Sequence, residues 1–295
     1  MYTDDYSYDT YSNDEFQRAY KNIKDNLTAG MTANSDRCTI ILGGQPGAGK
    51  SAFYQMRDDL QTYIAINGDE FRRFHPHAAS ILSSDAEHYA ERTQPFSNQV
   101  VETLIDDLGS KGYNLIIEGT LRNPEVPIRT CEGLQGKGYS ADLVVVACDA
   151  ELAWKSTLDR AEQQKSMGAI PRLVPIDIYN RTVHQIVDSL AFIEQRGCFD
   201  SITVIKRDGT ILHDKDDVLY SAADALETEL DLSNWDKKFP MYEKVFIRKK
   251  INILEMTLDN KNEHDIDVDE NDKMQIEPDV SVDNDWNRNW DDFER

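Results

Sequence analysis

An α/β fold, a parallel sheet flanked by helices, is predicted for this 295-residue chain by three observations. Short apolar runs alternate with longer helix-like stretches, the pattern of strands joined by helical crossovers. These runs are bounded by turn or charged residues, as buried parallel strands are. The first of them ends in GGQPGAGKS, residues 43–51, a glycine-rich loop set between a predicted strand and a predicted helix.

Taken in order, a polar lead rich in Tyr and Asp is followed by a helix over 14–27. RCTIILGG reads as the first buried strand, 51–60 as a helix and TYIAING as the second strand. A helix over 96–109 ends at a glycine. YNLIIEG and DLVVVACD are two further buried strands; 150–166 and 176–195 are helices, and SITVIKRDG is a late strand ending in a turn. From about residue 216 the pattern becomes helical, over 218–230 and 241–258. The last 37 residues hold 14 acidic against 4 basic side chains and too little apolar surface to offset ordering entropy. The expected organisation is therefore a lead and first helix over 1–35, a P-loop kinase-type domain over 36–215, a helical extension over 216–258 and an acidic, disordered tail over 259–295.

Charge narrows the function classes. With 54 acidic and 32 basic residues the net charge is -22, a field that repels nucleic acids and anionic membranes alike. The short RKK at 248–250 makes no basic groove, so no nucleic-acid partner is expected. The first residues, MYTDDYSYDTYSNDEF, carry acids where an export signal needs a positive and then an apolar segment. The most apolar window, ADLVVVACDA, falls far short of the roughly 20 residues that cross a bilayer. A cytoplasmic protein with no membrane contact is the expectation. Cys38, Cys131, Cys148 and Cys198 are widely spaced without a CxxC pair and read as reduced thiols.

The glycine-rich loop carries the first chemistry. Gly44, Gly49, Lys50 and Ser51 satisfy G-x-x-x-x-G-K-[ST], with Gln45, Pro46, Gly47 and Ala48 filling the interval. The glycines let backbone N–H groups turn toward a phosphate, Lys50 reaches the β and γ oxygens, and the Ser51 hydroxyl ligates Mg²⁺. A nucleoside triphosphate is the implied ligand. There is no Asn-Lys-x-Asp guanine reader, and neither the paired acids nor the basic track of a motor ATPase. A small-molecule kinase instead needs an acid near the loop to take the proton of an acceptor hydroxyl.

Two acids stand where such a group belongs. Asp69, in YIAINGDEFRRFHPH, lies just past the second strand, on the crevice side of an open parallel sheet. It reads equally as a general base and as a helix cap. Glu118 ends the apolar run of NLIIEGTLRNPEVP and enters a glycine turn, placed to bind magnesium through water or to hydrogen-bond an acceptor. Arg122 follows, either to neutralise acceptor phosphates or as a solvated surface arginine. His75 and His77, two apart and without partner ligands, make no metal site.

With GGQPGAGKS, INGDEFRRFHPH and QPFSNQVVETLIDDLGSKGYNLIIEGTLRNPEVPIRT in this order, the chain resembles the zeta toxins over about 39–209. These are the kinase halves of bacterial toxin-antitoxin pairs. The resemblance implies transfer of phosphate from ATP, with Mg²⁺, to the 3′-hydroxyl of UDP-N-acetylglucosamine, and poisoning of peptidoglycan precursor synthesis. It implies Lys50 and Ser51 at the triphosphate and Asp69 as base. Glu102, Glu118, Thr120, Arg122 and Thr130 fall where the family contacts its sugar nucleotide. Arg160 and Arg172 match the pair that grips the ATP phosphates, and a small helical antitoxin is the implied partner. Without the resemblance, Glu102 reads as a solvated helix position and Arg160 as a surface helix residue. A kinase for another hydroxyl, or an ATP-binding regulator without transfer activity, stand as alternatives. The region after about 216 has no counterpart in the resemblance.

Overall fold

The computed structural model describes residues 8–239 apart from 87, 169, 170, 173 and 218. The helix expected over 241–258 and the tail over 259–295 lie outside the described residues. Six strands, β1 (Cys38–Gly43), β2 (Ile64–Ile66), β3 (Leu115–Glu118), β4 (Ser140–Ala147), β5 (Ser201–Lys206) and β6 (Ile211–His213), form one sheet in the order β2-β3-β1-β4-β5-β6. All neighbours pair in parallel except β5 and β6. β1 sits between β3 and β4, so the chain leaves it in both directions across the sheet. Such a switch point opens a crevice at the carboxyl ends of the strands. Leu42 pairs with both Glu118 and Val144, which sets Glu118 level with the residue before the glycine-rich loop.

Ten α-helices lie among the described residues: α1 (Asn13–Thr28), α2 (Lys50–Phe53), α3 (Gly68–Phe71), α4 (Ala78–Ser84), α5 (Tyr89–Lys111), α6 (Glu125–Gln135), α7 (Ala150–Ser166), α8 (Ile176–Arg196), α9 (Ala222–Leu230) and α10 (Leu232–Lys238). Successive strand residues point to opposite faces, and the core divides accordingly. Ile40, Leu42, Val144 and Val146 pack with Phe53, Tyr179, Val183 and Trp235 on one side. Ile41, Leu143, Val145 and Ala147 pack with Ile186, Leu190 and Leu226 on the other. A third cluster joins Phe16, Tyr20 and Ile23 of α1 to Phe96, Leu104 and β2. The apolar runs of the sequence thus become strands buried on both faces, as predicted.

Several boundaries differ from the expectation. The helix expected over 51–60 is only Lys50–Phe53, followed by a turn and a 3₁₀ segment, Asp58–Thr62. Arg57 has left helical space at φ -141 and ψ 118, and its guanidinium takes both carboxylate oxygens of Asp59 at 3.0 and 2.6 Å. The helix expected over 96–109 begins seven residues earlier, runs through Pro95 and ends at Gly112, whose φ of 82 suits a left-handed cap. The helix expected from 218 starts at Ala222, where Ser221 accepts from the Asp224 N–H and Glu194 accepts from the N–H groups of Ala222 and Ala223 at 2.6 and 2.9 Å. Helices α3, α4, α6 and α10 and edge strand β6 add to the elements read from sequence. The four cysteines are unpaired.

One buried histidine has a consequence for stability. His75 is 3% exposed, between the rings of Tyr11 and Phe96 at 5.3 and 5.2 Å, and its Nδ1 accepts from the His77 N–H at 3.1 Å. Burial pushes its imidazole down from 6.5 to about 4, against the pull of the Asp9 backbone; His77 adds a little and Asp9 and Glu15 oppose it. Because the folded value is depressed, the unfolded chain binds the proton first as pH falls below about 6.5. Stability contributed by neutral His75 is present above that value and is lost toward about 4. The loss is roughly 1.4 kcal/mol per pH unit, about 2 kcal/mol between pH 6.5 and pH 5. His75→Asn keeps an acceptor for His77 and does not titrate. Urea unfolding at pH 7 and pH 5 is expected to show a smaller drop in the variant by about that amount; an equal drop in both proteins would refute the assignment.

Candidate active site

The loop after β1 keeps its shape through backbone that other residues cannot adopt. Gly47 has φ 76, and a Cβ there would stand 2.1 Å from the Ala153 carbonyl oxygen of α7. Gly49 has φ 96 and leads directly into Lys50. Arg207, in the turn between β5 and β6, backs the loop: its Nε donates to the Ala48 carbonyl at 3.0 Å, and its Nη2 donates to the Gly47 carbonyl and to Ser156 Oγ. Buried Gln45 donates to the Cys148 carbonyl at 2.6 Å. The loop is therefore braced against the end of β4, α7 and the β5–β6 turn by the protein itself. Pro46 is half-buried within it and Ser51 is exposed at the first turn of α2.

Lys50 bends back over this loop and donates to the Gly44 carbonyl at 2.7 Å. Burial holds its ammonium below the usual lysine value; Glu118 and Asp69 oppose that shift and Arg160 adds to it. A cation drawn out of water beside a glycine cradle suits an anionic partner.

Asp69 stands on α3, beyond β2. Asn67, not Asp69, caps this helix, accepting from the Asp69 N–H at 3.1 Å, so the capping alternative falls and the carboxylate is free for other partners. Ser97 of α5 fixes the turn by donating to the Gly68 carbonyl at 2.6 Å. Asp69 Oδ1 accepts from Arg72 Nε at 3.2 Å and Oδ2 from Arg172 Nη1 at 2.8 Å. Burial alone would raise its carboxyl, yet Arg172, Arg72 and Arg160 together hold it below the ordinary carboxylate value. Arg160 is half-buried on α7 rather than a surface helix residue, and its Nε is buried with no hydrogen-bond partner among the described residues. Arg160 and Arg172 act on each other and on Asp69, so the two arginines and the acid share one locale.

Glu118 closes β3 and accepts from the Tyr54 hydroxyl at 2.7 Å; burial, then Glu118 itself, keeps that phenol protonated. Beyond it Leu121 takes φ 57, unusual for a branched side chain, and its Cδ1 fills the place a Cβ on Gly43 would need. Leu121, Ile41, Ile117, Val126 and Pro127 line a small apolar pocket shared with Glu118 and Thr130. Thr130 donates to the Val126 carbonyl at 2.9 Å and Thr120 is half-buried. Arg122 is 6% exposed, which removes the solvated alternative. Glu102 stands exposed on α5, with no hydrogen bond or ion pair to the others among the described residues. Sequence reasoning passed over Tyr54, Arg72 and Arg207. Only proximity to the loop and to Asp69 in the motifs hinted at the first two.

Lys50, Arg72, Arg160 and Arg172 thus gather around Asp69 in a chain of net charge -22, a local reversal of the field that suits a polyanion. The cradle and the cation set fit a triphosphate. Among the described residues no three His, Cys, Asp or Glu side chains come together as a metal cage. A magnesium ion here would rest on the Ser51 hydroxyl, carboxylates and the nucleotide's own phosphates, the manner in which Mg²⁺ joins phosphoryl-transfer sites. Among the same residues no helix is long and apolar enough to cross a membrane.

Comparison with known proteins shows the family and the fold. The family described as Zeta toxin matches residues 22–217. The chain is 34% identical over 230 residues to Toxin PezT of Streptococcus pneumoniae, an alignment covering 77% of this chain and 90% of that protein. It is 29% identical over 220 residues to Toxin zeta of Enterococcus hirae, covering 73% and 77%. A structure from work on the PezAT chromosomal toxin-antitoxin system of Streptococcus pneumoniae superposes with a TM-score of 0.69 at 30% identity, covering 86% of this chain and 98% of that one.

Proposed function

We propose that this chain, which belongs to the zeta toxin family, is an ATP-dependent phosphotransferase whose acceptor is the 3′-hydroxyl of UDP-N-acetylglucosamine. Its product would starve peptidoglycan precursor synthesis in the cytoplasm, and a small antitoxin would restrain it. The observation that carries the reading is the placement of three groups at the carboxyl ends of adjacent parallel strands: Lys50 after β1, Asp69 after β2 and Glu118 at the end of β3.

The glycine loop receives the triphosphate, and Lys50, Arg160 and Arg172 offset charge on the transferred group. Asp69 accepts the proton of the acceptor hydroxyl as that oxygen bonds to the γ-phosphorus and the bond to the β-phosphate oxygen breaks, leaving ADP. Glu118, held by Tyr54, together with Thr120, Arg122, Thr130 and Glu102, is assigned to the acceptor. Mg²⁺, held by Ser51 and the phosphates, would neutralise charge on the β and γ oxygens.

Incubation of the full chain with ATP, Mg²⁺ and UDP-N-acetylglucosamine is expected to yield ADP and a sugar nucleotide heavier by one phosphate, read by mass spectrometry. Turnover on a different hydroxyl with none on this one would replace the acceptor and keep the phosphotransferase. ATP binding without transfer to any acceptor would leave a regulatory protein instead.

A further inference from the structure

The two oxygens of Asp69 are held by arginines of opposite character. Arg72, on Oδ1, is 5% exposed. Its other nitrogens donate to the Ala90 carbonyl and to Gln94 Oε1 of α5, and the Tyr89 hydroxyl donates to its carbonyl at 3.1 Å. This guanidinium is fixed on three sides by protein. Arg172, on Oδ2, belongs to the connection between α7 and α8, and its side chain is 37% exposed. Its second link is loose, 3.8 Å to the exposed carboxylate of Glu70, and its backbone N–H is tethered to Gln164 Oε1 at 2.8 Å. The tether holds the backbone, while the guanidinium is held only through the carboxylates of Asp69 and Glu70.

That division conflicts with the work assigned to Asp69. A hydroxyl that must donate its proton to Asp69 meets a carboxylate that already accepts from Arg72 on Oδ1 and from Arg172 on Oδ2. A carboxylate so paired is also a weak base. Arg160 of α7 and Lys50 of α2 are the other cations facing it. A triphosphate offers guanidinium groups several charged oxygens in bidentate geometry, against a single oxygen of one carboxylate.

We propose that Arg172 is an exchangeable partner of Asp69 that passes to the nucleotide phosphates on binding, while Arg72 stays as the residue that positions the base, so that Asp69 is open to the acceptor only once ATP is in place. This rests on the phosphotransferase reading of the same site.

The test is a double-substitution cycle on equilibrium affinity for a non-hydrolysable ATP analogue with Mg²⁺, measured by calorimetry on the full chain. If Arg172 must leave Asp69 to reach phosphate, Asp69→Asn tightens the analogue by about fivefold, the scale of one lost ion pair. In an Arg172→Gln background the same substitution is expected to change affinity by less than about twofold. An Arg72→Lys background should keep the fivefold effect, because Arg72 does not move, and Arg72→Lys itself should lower kcat about tenfold with nucleotide affinity unchanged within about twofold. An equal effect of Asp69→Asn with and without Arg172, or no tightening at all, overturns the exchange while the enzyme reading stands. Absence of analogue binding by the parent chain overturns both, and so separates the two failures. Thermal midpoints of Arg72→Lys within a few degrees of the parent would keep loss of fold from mimicking loss of positioning.

Discussion

Asp69→Asn is expected to lower the turnover of phosphate transfer by about 10²–10⁴, the range for removing a general base, with nucleotide still bound. The substitution is nearly isosteric, and Asn67 rather than Asp69 caps α3, so the helix keeps its start. An amide oxygen can still accept from Arg72 or Arg172, but it cannot take up the proton of a hydroxyl at neutral pH. The expected signature is therefore a fall in kcat, with unfolding midpoint near the parent and growth arrest lost when the variant is expressed without its restraining partner. Single-turnover ADP formation in the presence of acceptor, read after chemical quench, gives the rate free of product-release steps. Turnover within about threefold of the parent would move the proton to another group. Glu118, at the end of the neighbouring strand, would then be the first to test.

The parts of this site that could be read from the sequence are those whose reason is local. The glycine loop was legible because three positive-φ glycines and a following lysine are a backbone requirement written into consecutive residues. Helix α7 was legible end to end because Asp149 caps it, accepting from the Leu152 N–H at 2.8 Å, and nothing interrupts it. The short α2 was not legible. Phe53 and Leu60 are both buried at a helical spacing of seven, yet the bidentate pair of Arg57 with Asp59 turns the chain between them. Helix α6 hid behind Pro124 and Pro127, which suit a first turn but resemble a loop when read in line.

Side-chain roles with distant partners stayed out of reach for the same reason. Arg72 is defined by Ala90 and Gln94, Tyr54 by Glu118, and Arg207 by the carbonyls of Gly47 and Ala48, contacts that no spacing in the sequence announces. The resemblance supplied Arg160 and Arg172, and their common charge interaction with Asp69 gives that pairing a physical basis. One hydrogen bond, the Asn67 cap, removes the capping reading of Asp69, and it is an Asx contact local to two residues.

Lys50→Met separates what the loop does for function from what it does for stability. The lysine is drawn from water beside the Gly44 carbonyl, and burial holds its ammonium below the usual value. With the folded value depressed, the protonated lysine is disfavoured in the native state, and the stability lost to it returns only as pH rises through that folded value. Holding that charge out of water is thus a cost to folding. Methionine fills similar volume without the charge and without the bond to Gly44, whose loss costs about 1 kcal/mol. The two effects oppose each other, so urea unfolding is expected to give a stability within about 1 kcal/mol of the parent. Turnover should nevertheless fall by about 10²–10³, the scale for removing one group that meets charge developing in the transition state. A variant that unfolds several kcal/mol more easily would make Lys50 a structural residue. One that retains turnover would take the triphosphate out of this loop. Between those outcomes, an intact fold with lost transfer is what a cation held in strain for an anionic ligand predicts.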